Sequence, residues 1–202
     1  MIYLFIIILI FLIYYYYSEY NTEKVCIRGE PYRVHNNYDD KSKAAETLAE
    51  LNRRIVILKK HMLVKYSCRK DYCAKIIRMG IDEFNMQDRT KQLVENYKAN
   101  ISEISPNNPL GSTSFTEGKS KIVFCIRDAE TKKIHDINTL TFVALHEITH
   151  VMNEKWGHGA EFWNLFHVVL LDAVSIGIYQ PINYSIAPAK YCGIVITSSP
   201  LF

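Results

Sequence analysis

The chain has 202 residues, 49% hydrophobic and 22% charged, which excludes a disordered polymer and fits one globular domain of moderate size plus extras. A formal net charge of +3 is too small to argue for nucleic acid as a partner. Five cysteines, Cys26, Cys68, Cys73, Cys125 and Cys192, form an odd set without a C-x-x-C pair, which suits reduced thiols better than a disulfide framework.

Residues 1–17 carry no charged side chain and end in four tyrosines. As a helix they extend about 25 Å, the short limit for a hydrocarbon span, and tyrosine suits the lipid–water boundary. No basic residue precedes the apolar run and no small-x-small cleavage site lies near Tyr17-Ser18, so the stretch reads as an uncleaved N-terminal transmembrane helix rather than a signal peptide. Lys24, Arg28 and Arg33 follow it, and the positive-inside rule then places the domain of this single-pass membrane protein in the cytoplasm.

Residues 18–40 are polar and turn-prone, with Pro31, Asn36-Asn37 and Asp39-Asp40, and read as a tether. Ala44, Leu48, Leu51, Ile55, Leu58 and Met62 then recur at spacings of four and three, which predicts one long amphipathic helix over 41–65. From Leu51 to Lys70 there are seven Lys or Arg and no acidic residue. Arg54, Lys59 and Lys65 flank the apolar stripe, so this basic helix can contact anionic lipid, although a solvated face is the plainer reading. Two short helices are expected at 71–79 and 86–98, separated at Gly80. Residues 100–118 read as a loop because of Pro106, Asn107-Asn108, Pro109 and Gly111. Residues 121–127 are β-rich and are followed by a turn at 128–133; beside the motif that follows, a strand there can hold an extended peptide by main-chain hydrogen bonds.

Residues 143–151 read Val-Ala-Leu-His-Glu-Ile-Thr-His-Val, on a helix that Asn138 or Asp136 can cap. Positions i and i+4 share a helical face, so His146 and His150 can present nitrogens to one metal ion. Glu147 lies roughly 100° around the axis and is placed to act as a base toward water at that ion. Thr139, Phe142 and Val143 fall on the ligand side, whereas Leu145, Ile148 and Met152 form an opposite apolar face. In a chain with 7 His, roughly 0.015 chance matches to His-Glu-x-x-His are expected, so the motif is specific. A zinc ion with an open coordination position needs a third protein ligand, and Gly157-His158-Gly159 supplies one from a loop whose glycines let the chain leave the helix and reverse. Glu161, one turn into the next helix at 160–175, is the rival third ligand. His167 reads as a core histidine. The tail carries a short strand at 194–197, and Tyr184 or Tyr191 can offer a hydroxyl to a developing oxyanion.

His146-Glu147-x-x-His150 followed by His158-Gly-x-Glu-Phe162 resembles the small zinc metallopeptidase domains called SprT-like and WLM, over about residues 110–180. Phe162-Trp163 is also similar to YgjP-like proteins. The resemblance implies a compact α+β zincin-like core, with Zn2+ on His146, His150 and His158, Glu147 as the catalytic base, and a protein or peptide substrate. The interval between the second and third histidines departs from both subfamilies, and no DNA-binding tail matches. The expected organisation is a transmembrane anchor at 1–17, a tether at 18–40, and a metallopeptidase-like domain at 41–202 that includes the long basic helix. A non-peptidase zinc hydrolase and a membrane-tethered scaffold with structural zinc are the alternatives.

Overall fold

In the computed structural model, which describes residue 6 and residues 21–66, 86–107 and 113–202, the segment expected to be a tether is a β-hairpin. Strands β1 (Thr22–Ile27) and β2 (Glu30–His35) pair antiparallel across Arg28-Gly29. Both turn residues have positive φ, the backbone signature of the tight hairpin turn that matches strand twist. Tyr32 and Val34 point into the core, so the hairpin is a structural part of the domain. Helix α1 (Lys41–Tyr66) follows, then α2 (Met86–Asn96), β3 (Asn100–Glu103), β4 (Phe115–Glu117) and β5 (Lys121–Phe124). Helices α3 (Ile137–Met152) and α4 (Ala160–Ser175) and a second hairpin, β6 (Ala189–Tyr191) and β7 (Ile194–Ile196), complete the fold. Strands β3 and β4 lie inside the stretch expected to be a loop, at either end of its proline-rich middle. The expected helix over 71–79, Gly80, Cys68 and Cys73 lie outside the described residues.

The five-stranded sheet has the order β1-β2-β3-β5-β4, parallel at β2/β3 and β3/β5 and antiparallel at its two ends. It is therefore a mixed sheet in an α+β fold. Helix α1 buries the predicted stripe: Leu48, Leu51, Ile55, Leu58 and Met62 are all at most 1% exposed, each worth roughly 1.5–3 kcal/mol on burial. Its polar residues are largely engaged within the fold. Arg54 bonds Glu50, the Thr141 hydroxyl and the Ile178 carbonyl, and Lys65 and the Tyr66 hydroxyl both reach Asp172 of α4. At the other end, buried Arg127 donates to Glu103 at 2.6 Å and pairs with Asp40 at 2.7 Å, while Glu103 accepts the His35 amide at 2.8 Å. That cluster ties together β2, β3, the end of β5 and the start of α1.

No helix among the described residues is long and apolar enough to cross a membrane. The expectations of an N-terminal transmembrane helix and of single-pass membrane localisation with a cytoplasmic domain are corrected accordingly. Helix α1 has the length, 26 residues, but carries Lys, Arg and Glu throughout, and each charge costs roughly 2.5–3.5 kcal/mol at a bilayer centre. Residues 1–17, on which the expectation rested, lie outside the described residues except Ile6.

The expectation of reduced thiols is also corrected. Cys125 and Cys192, 67 residues apart in sequence, form a disulfide with their Cα atoms 6.1 Å apart. Spacing along the chain does not reveal it, because the end of β5 and the β6–β7 turn meet only in the folded state. Cys26 is free and exposed.

Candidate metal centre

Helix α3 begins where Asp136, in extended conformation, accepts the amides of Asn138 and Thr139 through its side chain. Asp136→Ala is expected to cost about 1 kcal/mol, read as a lower urea midpoint at unchanged slope. Leu145, Ile148 and Met152 are buried on the core side as the helical phase predicts. His146 and His150 emerge on the other side, one turn apart. Asn153 ends the helix, and the chain turns back at Gly157, whose φ of +88° lies in the left-handed region that favours glycine. Gly159 then caps α4, so His158 is held on the short crossing between the two helices.

Three imidazole nitrogens meet at one point. Nε2 of His146 lies 2.9 Å from Nε2 of His158, Nε2 of His150 lies 3.0 Å from that of His158, and the His146–His150 separation is 3.3 Å. Metal–nitrogen bonds of about 2.0–2.1 Å in tetrahedral geometry put nitrogens about 3.3 Å apart, close to this triangle. Three convergent ring nitrogens without an acid among them are a donor set suited to a divalent cation, and these residues can hold a metal ion. Burial, then the other two imidazoles, pushes His146 down to about 3, and burial followed by His158 takes His150 to about 4. Both rings are therefore neutral at pH 7, the form that binds metal.

Aromatic side chains fix the rings. Phe162 lies 4.4 Å from the His150 ring centroid and 4.7 Å from that of His158, and Phe166 meets the His146 ring edge-on at 5.3 Å. Helix α4 thus supplies the backing for ligands carried by α3 and the loop. Glu161, the rival third ligand, turns the other way: it pairs with Arg89 of α2 and with Lys155. His167 faces the carbonyl of Pro200 and stands outside the site.

Glu147 is 4% exposed and lines the same cavity as the three histidines, about 570 Å3 in volume. Burial pushes its carboxyl up to about 7, opposed by the hydroxyl of Thr116, which donates to Oε2 at 2.8 Å. Thr116 sits on β4, one of the two edge strands of the sheet, 31 residues before Glu147. No sequence signal identified this contact. Of the two candidate tyrosines, Tyr191 lines the cavity and shares a hydrogen bond with Ser114, whereas Tyr184 packs against Phe142 in the core. Ser114 in turn accepts the Cys125 amide at 3.0 Å.

No family model and no solved structure matches the chain. An uncharacterized protein of Invertebrate iridescent virus 6 is 41% identical over 72 residues, 35% of this chain and 40% of that protein. One of Invertebrate iridescent virus 3 is 40% identical over 68 residues, 34% of this chain and 43% of that protein. These two matches cover less than half of either partner. A third relative, an uncharacterized protein of Acanthamoeba polyphaga mimivirus, is 33% identical over 183 residues, 89% of this chain and 83% of that protein. Similarity sustained over nearly the whole length of both chains shows common descent, and this protein belongs to one family with the mimivirus protein.

Proposed function

We propose that this chain is a zinc-dependent metallopeptidase, with His146, His150 and His158 holding the ion and Glu147 as the general base. The observation that carries the reading is the convergence of three imidazoles and one buried carboxylate on a single cavity. The resemblance of His146-Glu147-x-x-His150 and His158-Gly-x-Glu-Phe162 to SprT-like and WLM domains points the same way. Zinc, when bound, supplies Lewis acidity that lowers the pKa of water at the site and polarises a carbonyl.

The chain's own residues do the rest. Beside a bound cation the Glu147 carboxyl ionises more readily than burial alone allows, so it can accept a proton from water and return it to the departing amine. Thr116 holds that carboxyl in one orientation. Residues 113–116, leading into and along β4, line the cavity, and β4 ends the sheet. A substrate main chain can add to that outer edge in extended form, with its scissile bond carried toward the imidazoles.

Metal analysis of the purified protein tests the reading. About one zinc per chain is expected, lost in His158→Ala, together with casein cleavage that a chelator abolishes and added zinc restores. Cleavage indifferent to chelation, or a protein that takes up no zinc, would overturn it.

A further inference from the structure

The cavity beside the triad is larger and more apolar than the chemistry of one metal ion requires. Its walls include Phe142 and Val143 of α3, Trp163 and Phe166 of α4, and the β6–β7 hairpin from Tyr191 onward, with residues 113–116 and the 155–158 loop completing the lining. Apolar side chains also stand open to solvent at its rim. Trp156 is 77% exposed, Val195 54%, Ile194 49% and Trp163 42%, and all four line the cavity. Singly exposed apolar residues are ordinary, but four at the mouth of one cavity form a patch of the kind that marks a binding surface.

The charged groups narrow the choice of ligand. Among the described residues that line the cavity, Glu147 is the sole carboxylate, and Lys119 and Lys155 are the cations. Lys119 donates to the carbonyls of Asn153 and Glu154, and Lys155 pairs with Glu161. A basic side chain entering here meets two cations and no free carboxylate besides Glu147. A bulky apolar side chain meets aromatic and branched walls, and the outer edge of β4 lies alongside to take its main chain.

Building on the peptidase reading, we propose that this cavity selects substrates: it takes a large aromatic or aliphatic side chain of an extended peptide, next to the bond that is cut, and rejects lysine and arginine at that position. Val195 of the β6–β7 hairpin and Trp163 of α4, both lining the cavity, are the residues that set this preference.

Binding can be measured without turnover, because both tryptophans of the chain, Trp156 and Trp163, line the cavity and report its occupancy by fluorescence. The full chain carrying Glu147→Gln is titrated with blocked pentapeptides, Gly-Gly-X-Gly-Gly, in which X is Phe, Leu, Asp or Lys. Phe and Leu peptides are expected to bind at least tenfold more tightly than the Lys peptide. Val195→Asp, at a position 54% exposed, should shrink that ratio to threefold or less, with zinc content unchanged. Equal affinity for Phe and Lys peptides, a ratio that Val195→Asp leaves intact, or a stronger response to phosphatidylglycerol vesicles than to any peptide would overturn the proposal. Failure of the peptidase reading shows differently, as wild-type protein that binds zinc and apolar peptides yet cuts none of them.

Discussion

Glu147→Gln is expected to remove roughly 10²–10⁴-fold of peptide turnover, the usual contribution of a positioned base, while leaving zinc content at the wild-type value. The substitution keeps the shape of the side chain and an acceptor for the Thr116 hydroxyl, which now donates at 2.8 Å to Oε2. It removes the sole carboxylate that lines the cavity; the lining imidazoles are the metal's ligands in this reading, and the other charged lining residues are lysines. Metal affinity should hold because the converging atoms are the three imidazole nitrogens, with Glu147 outside that set. The discriminating measurement is kcat on a fixed peptide with zinc stoichiometry from the same preparation. Turnover within about threefold of wild type would place the base elsewhere. Loss of zinc along with turnover would make Glu147 part of the metal's support. Thr116→Val gives a graded comparison: the carboxylate stays but its orientation is freed, so a smaller loss, about tenfold, is expected in kcat with KM little changed.

What could be read in advance was whatever repeats with a helix. The stripe from Ala44 to Met62 and the phase of His146, Glu147 and His150 follow from 3.6-residue periodicity, and the helix expected over about 160–175 is Ala160–Ser175. Asp136 and the glycines around His158 carry local backbone meaning, which also survives in sequence. The strands were harder. Strand β1 is mostly solvent-facing and β2 begins with exposed Glu30 and Pro31, so neither shows a clean alternation of apolar and polar residues. Their turn is Arg28-Gly29, which lacks the Asn-Gly or Asp-Gly signal of a tight hairpin. Strands β3 and β4, of four and three residues, are too short for a period to register. Within the site the same division holds. The metal triad comes from one helix and the loop behind it, and so was visible. Thr116, the β6–β7 wall and the cysteine pairing join segments distant in the chain, and only the folded arrangement brings them together.

Removing the Cys125–Cys192 link, by a double serine substitution or by a dithiol reductant, is expected to lower stability by about 4 kcal/mol, the loop-closure value for a link spanning 67 residues. The loss should fall unevenly on the molecule. Strands β6 and β7 have three residues each, and a hairpin that small does not stand alone. Its turn is Cys192-Gly193, both at positive φ, so the disulfide enters the hairpin at its tip. Noncovalent contacts also hold it: the Cys192 amide donates to Nε2 of His135 at 3.1 Å, Tyr191 bonds Ser114 and packs against the His135 ring, Lys190 pairs with Glu130, and Ala189 and Ile196 rest on the core. With the covalent link gone, contacts made by three-residue strands must alone fix the wall that carries Ile194 and Val195, while α3, α4 and the triad keep their own packing. The variant should therefore show a lower urea midpoint, full zinc content, and at least a tenfold loss of affinity for the Phe pentapeptide. A stability change below about 1 kcal/mol would mean that the 67-residue loop is already closed by noncovalent contacts in the unfolded ensemble. Unchanged peptide affinity would mean that the noncovalent contacts of the hairpin suffice to hold the cavity wall.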